Sequence, residues 1–225
     1  MLWKARQRPV SWIASLNSYA LIMSADLGAY AGTLRAISLD RGAERWSFAP
    51  AYSANLPPRL TSPPLTVGLV YLATGYDAPI GPGRLFARDA ATGAERWTRT
   101  FPGDLYNPTP PVVGGGLLYL PAAAASWPQD KDAQAPLFAV DAATGADRWA
   151  WYGGSYLRGA AVAADRLCVV AGNGFDAPQG FVAALAPRTG QELDRTNLNA
   201  IPRSGPTIAD GVLYLFGDSG ALAIK

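Results

Sequence analysis

The stretch DAATGAERW at residues 89–97 returns almost unchanged as DAATGADRW at residues 141–149. An Asp side chain can accept hydrogen bonds from the backbone amides just ahead of it, and glycine readily takes the left-handed conformation that reverses a chain. Each copy therefore predicts a tight turn between two strands, and this favours a structural role over catalysis or metal binding for its carboxylate. The turn residues concerned are Asp89, Gly93, Asp141 and Gly145.

The same pattern recurs along the whole chain. Aligned on the alanine before each turn, the matching segments are AISLDRGAERW from Ala36, ARDAATGAERW from Ala87, AVDAATGADRW from Ala139, ALAPRTGQELD from Ala184 and AIK from Ala223. The intervals between them are 51, 52, 45 and 39 residues, a period typical of propellers and solenoids. Trp46, Trp97 and Trp149 share one position, and each can bury about 200 Å² between adjacent sheets.

Each repeat also carries two short apolar runs separated by a Gly or Asp turn, as in PPVVGGGLLYLP and GPTIADGVLYLFG. These runs predict a hairpin ahead of the third strand, and the residues from Trp onward predict a fourth. Four strands per unit, repeated radially, describe a β-propeller. The sequence therefore predicts an all-β protein whose residues 1–225 form one domain of four-stranded antiparallel blades.

The two chain ends fit the same repeat. MLWKAR matches a fourth strand with Trp3 at the tryptophan position, and the chain stops after a third strand, ALAIK. We expect about five blades, four of them continuous and one assembled from both termini. A segment of a larger propeller is the alternative, and an open ring would then expose blade faces and favour self-association.

Composition limits the function. A net charge of +2 argues against nucleic acid, and the absence of histidine removes the usual general base and the usual zinc ligand. The single Cys168 lies in the apolar run RLCVVAG, which predicts a buried strand residue. No run reaches the ~20 apolar residues of a membrane span, and the N-terminus gives no clear secretory signal because Asn17 and Ser18 interrupt its apolar part.

The pattern A-x-D-x-x-T-G-x-x-x-W after a GLLYL-like strand resembles the PQQ-like repeat of quinoprotein propellers. That resemblance implies either dehydrogenases that carry pyrroloquinoline quinone with calcium, or non-catalytic members such as an outer-membrane assembly lipoprotein and sensor domains on kinases. It also favours a location in the cell envelope or outside the cell. The family usually has seven or eight blades. The fourth repeat here has Ala186 in place of Asp and Asp194 in place of Trp, which predicts weaker packing there.

The resemblance does not carry over a catalytic site. Quinoprotein dehydrogenases typically hold the quinone between a tryptophan and a disulfide of adjacent cysteines, and one cysteine cannot form it. No cluster of Glu, Asn and Asp stands at the starts of inner strands to bind calcium. We therefore expect a non-catalytic binding or scaffold propeller with no cofactor. The alternative is a calcium- and pyrroloquinoline-quinone-dependent alcohol or sugar dehydrogenase.

Two groups of residues are candidates for recognition of a protein partner or a small anionic ligand. Long loops on one face carry Tyr76, Trp127 and Phe175, which suit partner binding if they are more than proline-ended turns. Arg6, Arg158 and Arg203 each precede an innermost strand. In a closed ring they would sit at one level around the channel mouth and could bind a carboxylate or phosphate. The simpler interpretation is that these three arginines are ordinary solvated surface residues.

Overall fold

A computed structural model gives the structure of the protein. It describes residues 10–16, 18–25, 32–51, 59–61, 64, 66, 68–75, 82–104, 109–123, 135–154, 156–163, 165–172, 180–200, 202–218 and 220–224. Across these ranges the regular structure is entirely β, in five antiparallel sheets that follow one another along the chain. Within the same ranges no helix has the length and apolarity that a bilayer crossing requires.

Each sheet is a simple meander. Sheet 1 contains β1 (Val10–Leu16), β2 (Tyr19–Ala25), β3 (Gly32–Ser38) and β4 (Glu44–Phe48), and sheet 2 contains β5 (Arg59–Leu60), β6 (Leu69–Gly75), β7 (Pro82–Asp89) and β8 (Glu95–Asp104). Sheet 3 contains β9 (Val112–Gly114), β10 (Leu117–Pro121), β11 (Pro136–Asp141) and β12 (Asp147–Tyr152), and sheet 4 contains β13 (Tyr156–Ala163), β14 (Arg166–Gly172), β15 (Gly180–Leu185) and β16 (Glu192–Leu198). Sheet 5 contains β17 (Thr207–Ala209), β18 (Val212–Gly217) and β19 (Gly220–Ile224).

Tight turns join the first two strands of sheets 3 and 5, as the Gly-rich and Asp-Gly sequences predict. The β9–β10 turn has φ of 60° at Gly115 and 80° at Gly116, and the β17–β18 turn has φ of 50° at Asp210 and 73° at Gly211. Two successive residues with positive φ are the hallmark of the type I′ hairpin, whose twist matches that of the strands. These turns fix the register of both hairpins.

The core lies between successive sheets, which pack face to face. Along β6, Val70 and Leu72 belong to the core shared with sheet 1, whereas Tyr71 and Ala73 belong to the core shared with sheet 3. Successive side chains of a strand point to opposite faces, so a sheet held between two others is apolar on both. This explains the nearly continuous apolar runs of the second strands.

The structure confirms the predicted fold, an all-β array of about five propeller blades. The fourth strands begin at Glu44, Glu95 and Asp147, each two residues ahead of the tryptophan that was expected to open it. Sheet 5 has the three strands expected from the C-terminal sequence. The expected closing strand, MLWKAR, lies outside the described residues and stays a prediction.

Candidate functional site

The Asp-Gly turns are built as the sequence predicts. Asp89 Oδ1 accepts hydrogen bonds from the backbone N–H of Ala91 at 3.0 Å and of Thr92 at 2.9 Å, and from Thr92 Oγ1 at 3.0 Å. Its Oδ2 accepts from the Arg96 guanidinium at 2.7 Å, and Gly93 takes φ of 73°. These donors, Arg96 first, lower the pKa of Asp89 from its usual 3.8 to about 2.

The turn of sheet 3 repeats this arrangement. Asp141 accepts from Ala143, Thr144 and the Arg148 guanidinium, the last at 2.7 Å. The pKa of Asp141 is lowered to about 2, again with the arginine as the largest cause. Both carboxylates are thus occupied by their own turns, which agrees with a structural role rather than a catalytic one.

The recurring tryptophans join one sheet to the next. The indole N–H of Trp46 donates to Ala90 O at 3.3 Å, that of Trp97 to Ala142 O at 3.1 Å, and that of Trp149 to Pro187 O at 3.0 Å. Each acceptor lies in the turn of the following sheet. The rings also lie against the turn glycines of these sheets, which are Gly93, Gly145 and Gly190 respectively.

A tyrosine completes two of these junctions, and sequence reasoning missed it. Tyr71 Oη donates to Ala142 O at 3.0 Å, and Tyr119 Oη donates to Pro187 O at 3.2 Å, so each carbonyl accepts from a tyrosine and a tryptophan together. In sheet 2, Tyr71 pairs with Ala87, which pairs with Trp97. The signal was available as the Tyr in LVYLAT and LLYLP.

The junction between sheets 4 and 5 lacks both aromatic side chains. In the row of sheet 4 that matches Tyr71–Ala87–Trp97, Cys168 pairs with Ala184, which pairs with Asp194. A cleft of about 560 Å³ opens there between the two sheets. We call it the fourth-junction cleft, and its lining residues include Arg166, Cys168, Val182, Asp194, Leu213 and Ile224.

Cys168 lies on β14, as predicted, but it is only half-buried because it borders this cleft. Burial is still sufficient to raise the pKa of its thiol, with a smaller opposing effect of Arg166. The prediction of weaker packing at the fourth repeat agrees with the cleft.

The structure places two of the three candidate arginines on neighbouring inner segments. Arg158 lies on β13 and Arg203 shortly before β17, where the two backbones come close together. A Cβ on Gly159 would lie 2.9 Å from Gly205 Cα. The pKa of Arg158 is lowered, mainly by burial; Tyr156 opposes this shift, and the positive charge of Arg203 adds a smaller lowering. The Arg158 guanidinium also lies 4.5 Å from the Tyr156 ring centroid.

The other candidate residues lie outside the described part of the chain. These are Arg6 and the three loop aromatics Tyr76, Trp127 and Phe175. The strand register shows at which end of sheet 4 two of its connections leave the strands. Gly172 pairs with both Tyr156 and Gly180, so the β12–β13 connection and the β14–β15 loop leave sheet 4 at the same end of its strands. The turn from β15 to β16 lies at the opposite end of these strands, where Leu185 pairs with both Leu167 and Glu192.

The acidic side chains of the described residues bear on the calcium of the dehydrogenase alternative. Among the described residues, no three His, Cys, Asp or Glu side chains converge as metal ligands. The turn carboxylates Asp89 and Asp141 are held by arginines and backbone amides instead.

Face-to-face four-stranded meanders, joined by a tryptophan over the next turn, define a PQQ-like β-propeller. The sequence profile of the family of the outer membrane protein assembly factor BamB matches residues 30–224. The chain belongs to this family.

Two solved structures share the fold. The quinohemoprotein alcohol dehydrogenase of Comamonas testosteroni superimposes with a TM-score of 0.63 at 17% identity, over 97% of this chain and 42% of that chain. The europium-containing methanol dehydrogenase superimposes with a TM-score of 0.61 at 13% identity, over 96% of this chain and 51% of that chain. At such identities the likeness extends to the fold alone.

A curated relative is the serine/threonine-protein kinase AfsK of Streptomyces griseus. It is 34% identical over 124 residues, which are 52% of this chain and 13% of the kinase. The chain therefore spans a small part of that relative and about half of the propellers above.

Proposed function

We propose that this propeller is a non-catalytic binding module that recognises an anionic group, on a protein partner or a small ligand, at the inner end of sheets 4 and 5. The observation that carries the proposal is the close approach of the two backbones that bear Arg158 and Arg203, where a Cβ on Gly159 would lie 2.9 Å from Gly205 Cα. The positive charge of Arg203 is also one of the smaller causes that lower the pKa of Arg158. Two like charges repel, and an anion between them relieves that repulsion. The half-burial of Arg158 strengthens its interaction with any anion that reaches it.

Anion titrations test this proposal. Succinate and inorganic phosphate are titrated by calorimetry into the wild type, into R158A/R203A and into R188A, which removes an exposed turn arginine. We expect the double variant to lose affinity at least tenfold, because charge-assisted hydrogen bonds to guanidinium groups are the strong ones, and R188A to bind like the wild type. Equal affinities in all three proteins would exclude the site. Adding R6A tests the third predicted arginine.

The preference for binding over catalysis has its own test. Reconstitution with pyrroloquinoline quinone and calcium, followed by dye reduction with primary alcohols and aldoses, is expected to give no turnover. Turnover with any of these substrates would favour the dehydrogenase alternative instead.

The family suggests where the module works. Membership of the family of an outer membrane assembly factor supports a location in the cell envelope. Fractionation of the producing cells, with the chain detected by antibody, is expected to place it with envelope proteins; recovery only from the cytosol would contradict this.

A further inference from the structure

The fourth-junction cleft exists because two aromatic side chains are replaced in the same cross-strand row. At the two preceding junctions, which follow sheets 2 and 3, a tyrosine and a tryptophan fill this space, as Tyr119 and Trp149 do with ring centroids 5.8 Å apart. Cys168 and Asp194 occupy these positions in sheet 4. Sheet 5 still packs on sheet 4 through Val170, Leu213 and Leu215, so the space stays open instead of collapsing.

The floor of the cleft suits a flat apolar group. Val182, Leu213 and Ile224 line it together with the half-buried Cys168. Interiors are packed to high density, and an apolar space of this size is filled favourably by an apolar guest. In sheets 1 to 3 the position of Asp194 holds an indole ring, that of Trp46, Trp97 or Trp149.

The charge of the cleft favours a cation. Asp165 and Asp194 line it against one basic residue, Arg166. One oxygen of Asp194 accepts from the backbone N–H of Arg195 at 2.8 Å. The Arg195 guanidinium itself is held by Glu192, in two hydrogen bonds of 2.7 Å each. Within the described part of the chain, Asp194 therefore faces the cleft without an ion pair to a basic side chain.

We propose that the fourth-junction cleft binds a small planar aromatic ring that carries an ammonium group, with the ring on the apolar floor and the ammonium at the Asp194 carboxylate. The site is distinct from the proposed anion site. The cleft opens at the end of sheet 4 that carries the β13–β14 turn, where Ala163 pairs with Arg166. Arg158 lies towards the other end of β13. A negative result for this site can therefore be distinguished from a negative result for the proposed anion site.

Tryptamine is the probe, with indole and indole-3-acetate as its neutral and anionic counterparts. Binding is measured by calorimetry and by the rate at which iodoacetamide alkylates Cys168, the single thiol of the chain. We expect tryptamine to slow alkylation and to bind more tightly than indole, with indole-3-acetate weakest. D194N is expected to weaken tryptamine about two- to fivefold, the range of an exposed ion pair, and to leave indole unchanged.

A variant that refills the space provides the second test. C168Y/D194W restores both aromatic side chains and is expected to abolish tryptamine binding while raising the melting temperature. If this variant does not fold, D194N and the protection of Cys168 still decide the question. Unchanged alkylation in the presence of tryptamine, or equal affinity for tryptamine and indole-3-acetate, would overturn the proposal. R158A/R203A is expected to bind tryptamine like the wild type.

Discussion

Gly145 lies directly against Trp97 of the preceding sheet, so closely that a Cβ on Gly145 would stand 2.7 Å from Cε3 of the indole. The glycine is needed for a second reason, because its φ of 74° is one that other residues rarely adopt. One residue thus serves the turn of its own sheet and the packing of its neighbour. Gly93 lies against Trp46 in the same way, and a Cβ on Gly93 would stand 2.6 Å from Cδ2 of that indole.

Replacing Gly145 with Ala separates these two roles. We expect G145A to lower the free energy of unfolding by about 2–4 kcal/mol, because it adds steric overlap to backbone strain. The matched control is G116A, where φ is +80° but nothing lies within 4 Å of the added carbon. It should cost only about 1–2 kcal/mol. Urea unfolding measures both, and equal losses would show that the indole contact is unimportant.

Truncating Trp97 tests the tryptophan as the link between sheets 2 and 3. W97A is expected to cost about 2–4 kcal/mol in urea unfolding, since the half-buried ring leaves a cavity. The control Y152A removes a tyrosine that is 55% exposed and should change stability by less than about 0.5 kcal/mol. A W97A protein as stable as Y152A would contradict the role given to this residue.

The shared acceptor at Ala142 predicts coupling between two donors. W97F and Y71F should each cost about 1 kcal/mol, because the other side chain still donates to the Ala142 carbonyl. The double variant leaves that acceptor without either donor and should cost more than the sum of the two. A double-mutant cycle measures the difference, and strict additivity would argue against a shared bond.

The lowered pKa values of Asp89 and Asp141 predict a dependence of stability on acid. A carboxyl with a folded pKa of about 2 and a usual value of 3.8 stabilises the fold above the higher value and loses that contribution as pH falls towards the lower. We expect roughly 1 kcal/mol from each after solvent screening. D89N/D141N should flatten the stability curve between pH 4 and pH 2, measured by thermal melting. An unchanged acid limb would rule this out.

Closure of sheet 5 by the N-terminal sequence stays a prediction, and it can be tested directly. If Trp3 occupies the tryptophan position of a fourth strand, W3A should cost about as much as W97A, whereas W127A in a long loop should be nearly neutral. Tyr214 and Phe216 of β18 are 44% and 62% exposed. If W3A detaches the N-terminal strand from sheet 5, it should therefore also promote concentration-dependent association, measured by sedimentation velocity. If W3A changes neither the free energy of unfolding nor the association state, this closure is excluded.

The repeat made most of the fold predictable, because turn chemistry and strand alternation are local properties. The role of Trp97 followed from its recurrence, and the open fourth junction followed in part from Asp194. The contribution of Tyr71 and the exchange of tyrosine for Cys168 were not predicted, since their partners lie one sheet away. The approach of Arg158 to Arg203 depends on how closely two glycines let neighbouring backbones meet. The sequence around the loop aromatics, Tyr76, Trp127 and Phe175, has no local pattern that predicts their contacts.

The cleft between sheets 4 and 5 also bears on how the molecule comes apart. In an array where each sheet touches only its neighbours, thermal opening begins at the least cohesive interface. That interface is the one where Cys168 and Asp194 replace the aromatic pair. β18 and β19 should consequently exchange their amide hydrogens before β10 and β14 do, because sheet 5 meets sheet 4 without the aromatic pair that joins the preceding sheets.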